Sequence, residues 1–425
     1  MAVEIETLDL IGDLQPSWKV ARFGDVLEGG TRNGIYKAKE FHGRGAKIVN
    51  MGELFAHPRL RDVPMKRVEL SDSEMEKTCL KKGDLLFARR SLVAEGAGKC
   101  IVVSEVKEPT TFESSIIRAR PNPQIVDSLF LYYLFNSPYG TYVLQTIRRQ
   151  VAVSGITGTD LVELPVPHPP LGDQKAIAAV LGALDDKIEL NRRMNAKLEE
   201  MARSLFQSWF VDFDPVRAKL DGRQPVGLDP ANADLFPEHF EESALGPIPH
   251  GWEVGRLDDV LTLQRGFDLP TPNRTHGKYP VMAASGPNGC HDKFMVQGPG
   301  VTTGRSGVLG RVFFIHGDFW PLNTSLWVKE FKRVSSAYAF HLLRGLDFAV
   351  FNAGSAVPTL NRNHVHNLLV MIPPKPIIEA FDSQVMLLMK LQKANEDQSR
   401  TLATLRDTLL PKLLSGELST AQLTN

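Results

Sequence analysis

The sequence predicts an α+β protein in which two tandem mixed α/β domains are separated by two long antiparallel coiled-coil helices, as a pseudo-twofold internal repeat. Two observations predict this architecture. A heptad stripe of apolar residues occurs twice, and several short segments recur in the same order in both halves of the chain. The chain has 425 residues, which is enough for two or three domains.

The two heptad stripes lie in residues 173–210 and 377–414, where successive stripe residues are separated by alternating steps of four and three. The first stripe consists of Ile177, Leu181, Leu184, Ile188, Asn191, Asn195, Leu198, Ala202, Leu205 and Trp209. The second consists of Phe381, Val385, Leu388, Gln392, Asn395, Ser399, Leu402, Arg406, Leu409 and Leu413. Both have a polar centre, which in coiled coils fixes the register of the helices. Arg406 interrupts the second stripe.

Each predicted helix is about three times the usual length of ~11–12 residues, and it spans roughly 60 Å at ~1.5 Å per residue. That length exceeds a compact domain. It therefore favours a coiled-coil spacer over the alternative of two ordinary amphipathic core helices. An antiparallel pair is expected, because only then does the linker after the first helix stay local.

Repeated segments define the domain order. The pairs are residues 18–27 with 252–261, 151–158 with 355–362, and 164–170 with 368–374. Their order predicts a first domain over residues 1–170, a first spacer helix over 171–213, a linker over 214–248, a second domain over 249–373, and a second spacer helix with a C-terminal tail over 374–425.

Each domain is expected to contain a curved antiparallel sheet with helices near its end. Short runs rich in β-branched and aromatic residues, at 99–103, 311–315 and 324–328, predict strands. Residues 127–135 and 337–343 predict helices.

The net charge of zero conceals two basic domains. Residues 18–168 hold 22 Lys and Arg against 17 Asp and Glu, a net charge of +5, and residues 249–372 hold 12 against 8, a net charge of +4. Such a distribution suits a partner with a phosphate backbone that is bound at two places, although a solvated surface produces the same excess.

The composition predicts a cytoplasmic protein with no membrane partner. Residues 1–10 are acidic, unlike a secretory signal, and no apolar run reaches the ~18 residues that cross a bilayer. Cys79, Cys100 and Cys290 are isolated and lack the spacing of disulfides or metal sites.

Catalytic motifs are incomplete. Gly98 and Lys99 lack both the first glycine and the hydroxyl residue of a nucleotide-binding loop. The two Pro-Pro pairs lack the flanking residues of an amino-methyltransferase motif. Asp84, Glu105 and Lys107 match a metal-dependent nuclease only loosely. His364 and His366 are expected to be surface or core residues, so no catalytic residue and no metal ligand is predicted.

The duplicated segments together resemble the specificity subunit of type I restriction–modification systems over nearly the whole chain. The resemblance is carried by Trp18 and Trp252 at the start of each half and by residues 83–91, 300–311, 204–215 and 413–418.

This resemblance implies two target-recognition domains held apart by two spacer helices, in a chain with no chemistry and no cofactor of its own. It implies double-stranded DNA as the ligand. The implied partners are two adenine-N6 DNA methyltransferase subunits that use S-adenosylmethionine, and motor–nuclease subunits that use ATP and Mg²⁺.

Candidate DNA contacts are polar residues on glycine-flanked loops, since Arg pairs with guanine edges and Asn with adenine. In domain one they are Thr31, Arg32, Asn33, Arg89, Arg90 and Ser91. In domain two they are Arg265, Asn273, Arg274, Asn288, Arg305, Ser306, Asn361 and Arg362. Lys81, Lys82, Arg148 and Arg149 are candidate phosphate contacts. For each residue, a turn or surface role is the open alternative.

Large aromatic residues at the end of the first helix and in the linker are predicted to form an exposed methyltransferase contact, with packing of the linker as the alternative. They are Phe206, Phe210, Phe213, Phe236 and Phe240. Two other functions remain open at this stage: a stand-alone DNA-binding adaptor without enzyme partners, and a metal-dependent nuclease.

Overall fold

The computed structural model describes residues 18–91, 96–149, 154–352, 354 and 357–419. Residues 1–10, 151–153 and 355–356, which were used above for the acidic start and the repeat, lie outside this description. The contacts divide the chain into two compact units. Unit one comprises the described residues of Met1–Asn191 and Asp397–Asn425, and unit two comprises those of Arg192–Glu396. Each long helix contributes residues to both units, so the domain boundaries given above stay a prediction.

Unit one contains a five-stranded main sheet. Its spatial order is Leu27–Asn33, Ile116–Pro121, Leu85–Ala88, Cys100–Val103 and Arg59–Leu60. A three-stranded sheet has the order Lys66–Val68, His42–Val49 and Thr110–Phe112. Two further strand pairs are Lys19–Arg22 with Pro165–His168 and Arg90–Ser91 with Ser154–Gly155. The shorter α-helices of unit one are Met51–Ala56, Asp72–Thr78, Ser128–Phe135, Pro138–Thr146 and Gly158–Val162.

Unit two repeats this plan with one strand fewer in the main sheet. The spatial order of the strands in this main sheet is Leu261–Arg265, Ser325–Phe331, Gly300–Gly304 and Val312–Ile315. The three-stranded sheet has the order Gly286–His291, Tyr279–Ala283 and Trp320–Pro321. The strand pairs are Glu253–Arg256 with Leu369–Ile372 and Phe240–Ser243 with Gly246–Pro249. The shorter α-helices are Asp214–Leu220, Pro230–Asp234, Leu257–Val260, Ser336–Arg344 and Arg362–His366. The α+β class with two tandem domains is confirmed.

Two glycines occupy equivalent positions in the two main sheets, and they show which residues of the sheets correspond. The Gly34 N–H donates to the Ile116 carbonyl at 3.0 Å, and the Gly266 N–H donates to the Ser325 carbonyl at 3.1 Å. A Cβ at either position would lie 2.2–2.3 Å from a facing carbonyl oxygen, so only glycine fits there. Residue 33 therefore corresponds to residue 265. The segments 18–27 and 252–261 are instead 234 positions apart, because the two main sheets carry their β-bulges at different places.

The two long helices are Leu171–Phe210 and Lys375–Ser415, within two residues of the heptad prediction. In unit one, Asn191 Nδ2 donates to Ser399 Oγ at 3.2 Å. In unit two, Asn195 Nδ2 donates to the Gln392 carbonyl at 3.1 Å, and Asn395 Nδ2 donates to Asn195 Oδ1 at 2.9 Å. Later residues of the first helix thus face earlier residues of the second, which confirms the antiparallel pairing and places the polar centre at its contacts.

Arg406 interrupts the heptad stripe because it forms an ion pair within unit one. Its Nη1 donates to Asp185 Oδ1 at 2.7 Å, and Tyr133 Oη donates to Asp185 Oδ2 at the same distance. Tyr133 belongs to the short helix Ser128–Phe135, whereas Asp185 and Arg406 belong to the two long helices. A polar cluster therefore joins the first domain to the helix pair.

The predicted aromatic partner surface is wrong for four of its five residues. Phe206, Phe210, Phe213 and Phe236 are 9%, 3%, 7% and 2% exposed. They pack in the core of unit two against rings such as Trp252, Tyr338 and Phe381. Phe240 is half-buried against Phe213. The physical reason is that the linker packs on the end of the first helix and encloses these rings, which removes their apolar area from water.

Phe213 also forms the turn after the first long helix. It adopts a left-handed backbone with φ of 56°, which is unusual for a residue with a side chain. Its ring packs on Trp252 and Phe240, and the helix Asp214–Leu220 begins at the next residue. Burial of the ring offsets the backbone strain and holds the chain in this turn.

A buried histidine makes the stability of unit two depend on pH. His341 is 4% exposed, stacks on Phe206, and its Nε2 has no hydrogen-bond partner among the described residues. Burial, aided by the nearby Arg344 charge, lowers its pKa from 6.5 to about 4. Since the unfolded chain binds this proton more readily, the stabilisation is fully present above pH 6.5 and is lost as the pH falls towards 4.

We expect acidification from pH 7 to pH 4 to cost up to about 3 kcal/mol of unfolding free energy through His341, at ~1.4 kcal/mol per pKa unit. Urea unfolding of the wild type and of His341→Phe measures this cost. The variant keeps a ring against Phe206 but cannot titrate, so the difference between the two proteins isolates the histidine. Parallel pH profiles for both proteins would contradict the assignment.

Candidate nucleic-acid interface

Unit two contains an open cleft of about 500 Å³ at one end of its main sheet. Its lining residues are Arg265, Arg305, Leu326, Thr359, Leu360, Asn361 and Arg362. Four of them were predicted as DNA contacts from the sequence. Arg265 ends the strand Leu261–Arg265, Arg305 follows the strand Gly300–Gly304, and Asn361 caps the helix that begins at Arg362.

Arg305 is held in place by backbone and side-chain hydrogen bonds. Its N–H donates to the Thr324 carbonyl at 2.8 Å, and its own carbonyl accepts from the Leu360 N–H at 2.8 Å. Its Nη1 donates to the Asn323 carbonyl at 3.2 Å. The guanidinium is therefore oriented before any ligand arrives, which lowers the entropy that binding must cost.

The cleft is positively charged. Three of its seven lining side chains are guanidiniums and none of the seven is acidic, while Leu326 and Leu360 supply apolar walls. Guanidiniums bind phosphate oxygens and guanine edges through paired N–H donors. A concave surface of this charge, with an adjacent apolar wall, suits a polyanion that also presents flat apolar groups.

The remaining predicted contacts of unit two lie in two places. Ser306 forms an isolated bridge with Thr359 and is therefore next to the cleft. Arg274 Nη1 donates to the Asn288 carbonyl at 2.9 Å, which brings this pair together on the hairpin side of the domain. Asn273 precedes Arg274 and is exposed.

In unit one the predicted contacts meet at the corresponding end of the main sheet. Thr31, Arg32 and Asn33 end the strand Leu27–Asn33, and Arg32 and Asn33 are exposed. Arg90 and Ser91 pair with Gly155 and Ser154. Arg89 Nη1 donates to the Ser114 carbonyl at 3.2 Å.

The four candidate phosphate contacts differ in exposure and in the bonds that they form with this chain's own groups. Lys81 and Lys82 are exposed. Arg148 Nε donates to the Ala97 carbonyl at 2.8 Å, and Arg149 Nη2 lies 2.8 Å from Asp160 Oδ2. The two arginines therefore also bind groups of this chain, and all four residues stay candidate phosphate contacts.

The structure does not support the nuclease alternative. The Asp84 carboxylate is buried and accepts from Arg120 Nε at 2.7 Å and Arg120 Nη2 at 2.8 Å. The Lys81 N–H also donates to it at 2.8 Å. Both carboxylate oxygens are therefore engaged by this chain's own donors, which makes Asp84 a structural residue.

The predicted histidine and cysteine roles are settled by their contacts. His366 Nε2 accepts from the Leu263 N–H at 2.9 Å, and burial lowers its pKa. His364 is exposed, and Cys79, Cys100 and Cys290 are free thiols. Within the described ranges, no group of three His, Cys, Asp or Glu side chains is arranged to hold a metal ion. The part of the chain that the structure covers also contains no helix long and apolar enough to cross a membrane.

Comparison with known proteins assigns the family. The model of the type I restriction modification DNA specificity domain matches residues 16–200 and 249–396, one match in each half. The chain therefore belongs to the type I restriction–modification specificity family. These matches confirm the resemblance identified from the sequence and a non-catalytic subunit with two DNA specificity domains.

Individual relatives are similar over almost their whole length. The specificity subunit of the type I restriction enzyme MjaIX of Methanocaldococcus jannaschii is 26% identical, over 97% of this chain and 96% of the relative. The HindI specificity subunit of Haemophilus influenzae is 24% identical, over 94% of this chain and 99% of the relative. The crystal structure of the S subunit from M. genitalium has the same fold, with a TM-score of 0.61 at 16% identity, over 95% of this chain and 98% of that one.

Sequence analysis missed Leu326 as a residue of the cleft, and it also missed Thr359 and Leu360. Both lie in the segment 355–362 that the repeat singled out, next to Asn361 and Arg362. The repeated segment itself was therefore the available signal for Thr359 and Leu360, because residues 359–362 of that segment line the cleft.

Proposed function

We propose that this chain recognises an asymmetric bipartite DNA sequence and directs adenine methylation and restriction by partner subunits. The positively charged cleft of unit two supports this most strongly, because it gathers four residues chosen from sequence alone as DNA contacts. A second domain of the same plan in unit one supplies the second contact.

The two half-sites differ in sequence because the two domains differ at their exposed positions. The contacts are the residues predicted above in each domain, including Arg274 and Asn288 on the hairpin side. Arg side chains recognise guanine and Asn side chains recognise adenine in the major groove, where each good pair contributes ~1–3 kcal/mol of discrimination. Unequal domains thus yield an asymmetric target.

The partners are two DNA adenine methyltransferase subunits and motor–nuclease subunits. They, and not this chain, hold S-adenosylmethionine, ATP and Mg²⁺. The complex works in the cytoplasm, where its DNA ligand is found. Family membership supports the complex, because the MjaIX and HindI relatives are specificity subunits of type I restriction enzymes.

Exposed apolar residues on the long helices of unit two form the methyltransferase contact, in place of the buried phenylalanines. Met194 and Met201 lie one heptad apart on the first helix and are 41% and 56% exposed. Leu387 and Leu391 lie one turn apart on the second and are 59% and 47% exposed. Large apolar side chains at such positions favour partner binding over solvent.

Changing Met201 and Leu387 to Ser together should weaken assembly with the methyltransferase at least about tenfold, as for residues at the centre of an interface. Co-purification and titration of the two subunits measure the effect. Lys390→Ser, an exposed change beside the same surface, is the matched control and should assemble normally. If the chain forms no complex with a methyltransferase even as wild type, it is a stand-alone DNA-binding protein.

A further inference from the structure

The residues of the unit-two cleft have counterparts at the same end of the unit-one sheet. The equivalence of Gly34 and Gly266 pairs Arg265 with Asn33. The repeat spacing of 204 residues pairs Asn361 with Thr157 and Arg362 with Gly158, and both pairs lie at the start of short helices. Thr157 accepts from the Asp160 N–H at 3.1 Å, as Asn361 accepts from the Asn363 N–H at 3.0 Å.

One arginine is held identically in both domains. The Arg89 N–H donates to the Ser115 carbonyl at 2.8 Å, as the Arg305 N–H donates to the Thr324 carbonyl at 2.8 Å. The Arg89 Nη1 to Ser114 carbonyl distance is 3.2 Å, equal to that from Arg305 Nη1 to the Asn323 carbonyl. The Arg89 carbonyl accepts from the Ile156 N–H at 3.0 Å, where the Arg305 carbonyl accepts from Leu360.

The neighbouring positions differ between the domains. Asn33 faces Ile117 across the sheet where Arg265 faces Leu326. A side chain at position 158 would meet Thr31 Oγ1 at 2.4 Å, so unit one has glycine where unit two has Arg362. At these two positions, unit two therefore has guanidiniums where unit one has none.

We propose, on the basis of the proposed function, that Arg89 and Arg305 bind backbone phosphates, whereas positions 33/265 and 158/362 determine which bases each domain recognises. The phosphate backbone is the same at every DNA sequence, and the residue that binds it keeps one geometry in two domains with different targets. Residues that contact bases must differ between such domains. Asn33 and the pair of Arg265 and Arg362 differ in the way that adenine and guanine contacts require.

The phosphate role is tested by DNA binding of the assembled methyltransferase complex at several salt concentrations. Arg305→Ala and Arg89→Ala should each weaken binding about tenfold, lower the slope of log affinity against log salt by about one, and leave the methylated sequence unchanged. Arg305→Lys keeps the charge and should keep the slope. Arg305→Gln, which retains a donor for the Asn323 carbonyl, replaces the alanine variant if that variant fails to fold.

The base role is tested by sequencing the methylated sites of a random DNA library. Arg265→Asn should change the preferred base at one position of one half-site, and Asn33→Arg should change one position of the other. Arg333→Ala removes an ion-paired surface guanidinium of the same domain and should change neither. A change of motif in Arg305→Ala at an unchanged salt slope, or an unchanged motif in Arg265→Asn, would overturn the assignment.

Failure of this assignment is distinguishable from failure of the proposed function. If the wild-type complex methylates no bipartite sequence, the proposed function itself is wrong. If the wild type methylates such a sequence but Arg305 sets a base, only the division between phosphate and base contacts is wrong.

Discussion

Replacing Phe210 and Phe213 by Ala together is expected to unfold unit two. Both rings are buried, and Phe210 packs on Tyr338 at 4.9 Å and Phe381 at 5.2 Å between ring centroids. Each buried Phe→Ala change costs about 3–5 kcal/mol, against a typical total stability of ~5–15 kcal/mol. Phe213→Ala also leaves the left-handed turn without the ring contacts that offset its strain.

Urea unfolding, followed by tryptophan fluorescence, measures this loss. Val211 lies between the two rings in sequence and is 47% exposed, so Val211→Ala is the matched control and should change stability by less than about 0.5 kcal/mol. A double variant of normal stability that fails to bind methyltransferase would show that these rings form a partner surface after all.

Lengthening both long helices by one heptad is expected to lengthen the spacer between the DNA half-sites. Seven residues add roughly 10 Å at ~1.5 Å per residue, or about three base pairs at ~3.4 Å each. Three base pairs also rotate one half-site by roughly 100°, whereas an inserted heptad adds little rotation. We therefore expect a spacer longer by about one to three base pairs, unchanged half-sites and reduced activity.

The observed pairing shows where the two insertions must lie. Because Asn195 contacts Gln392 and Asn395, a copy of residues 196–202 after Asn195 faces a copy of residues 385–391 before Gln392. This placement keeps the polar contacts opposite each other. A seven-residue insertion in the first helix alone is the control and should disrupt the pairing. A folded, active double insertion that methylates sites of the original spacing would refute the role of the helices as a spacer.

The helices could be predicted from sequence because their signal is local and long. A heptad stripe over ten positions determines the helical face, and the polar centre identified the residues that make the interhelical hydrogen bonds. The break at Arg406 could not be explained in this way, because its ion-pair partner Asp185 is more than 200 residues away in sequence.

The burial of the aromatic residues and the register of the main sheets could not be predicted either, because both depend on contacts between residues that are distant in sequence. Phe206 and Phe236 have the same sequence features whether they pack on their own linker or on a partner, and only the tertiary fold decides. The sequence repeat that pairs 18–27 with 252–261 does not extend to residue 265, and its offset of 234 would place that residue two positions away from Asn33, since a β-bulge shifts register without changing composition. Four cleft residues were chosen by residue type, and their role as DNA contacts stays a prediction. Their proposed division between phosphate and base contacts required the repeated hydrogen bonds.

In the proposed function, each domain recognises its own half of the DNA target. The most direct test replaces residues 18–168 by the corresponding domain of a relative and sequences the methylated sites of the host. The donor domain should keep Arg59 and Tyr133, which contact Gly182 and Asp185 of the first long helix. We expect one half-site to change while the other half-site and the spacer stay the same. A change in both half-sites would contradict it.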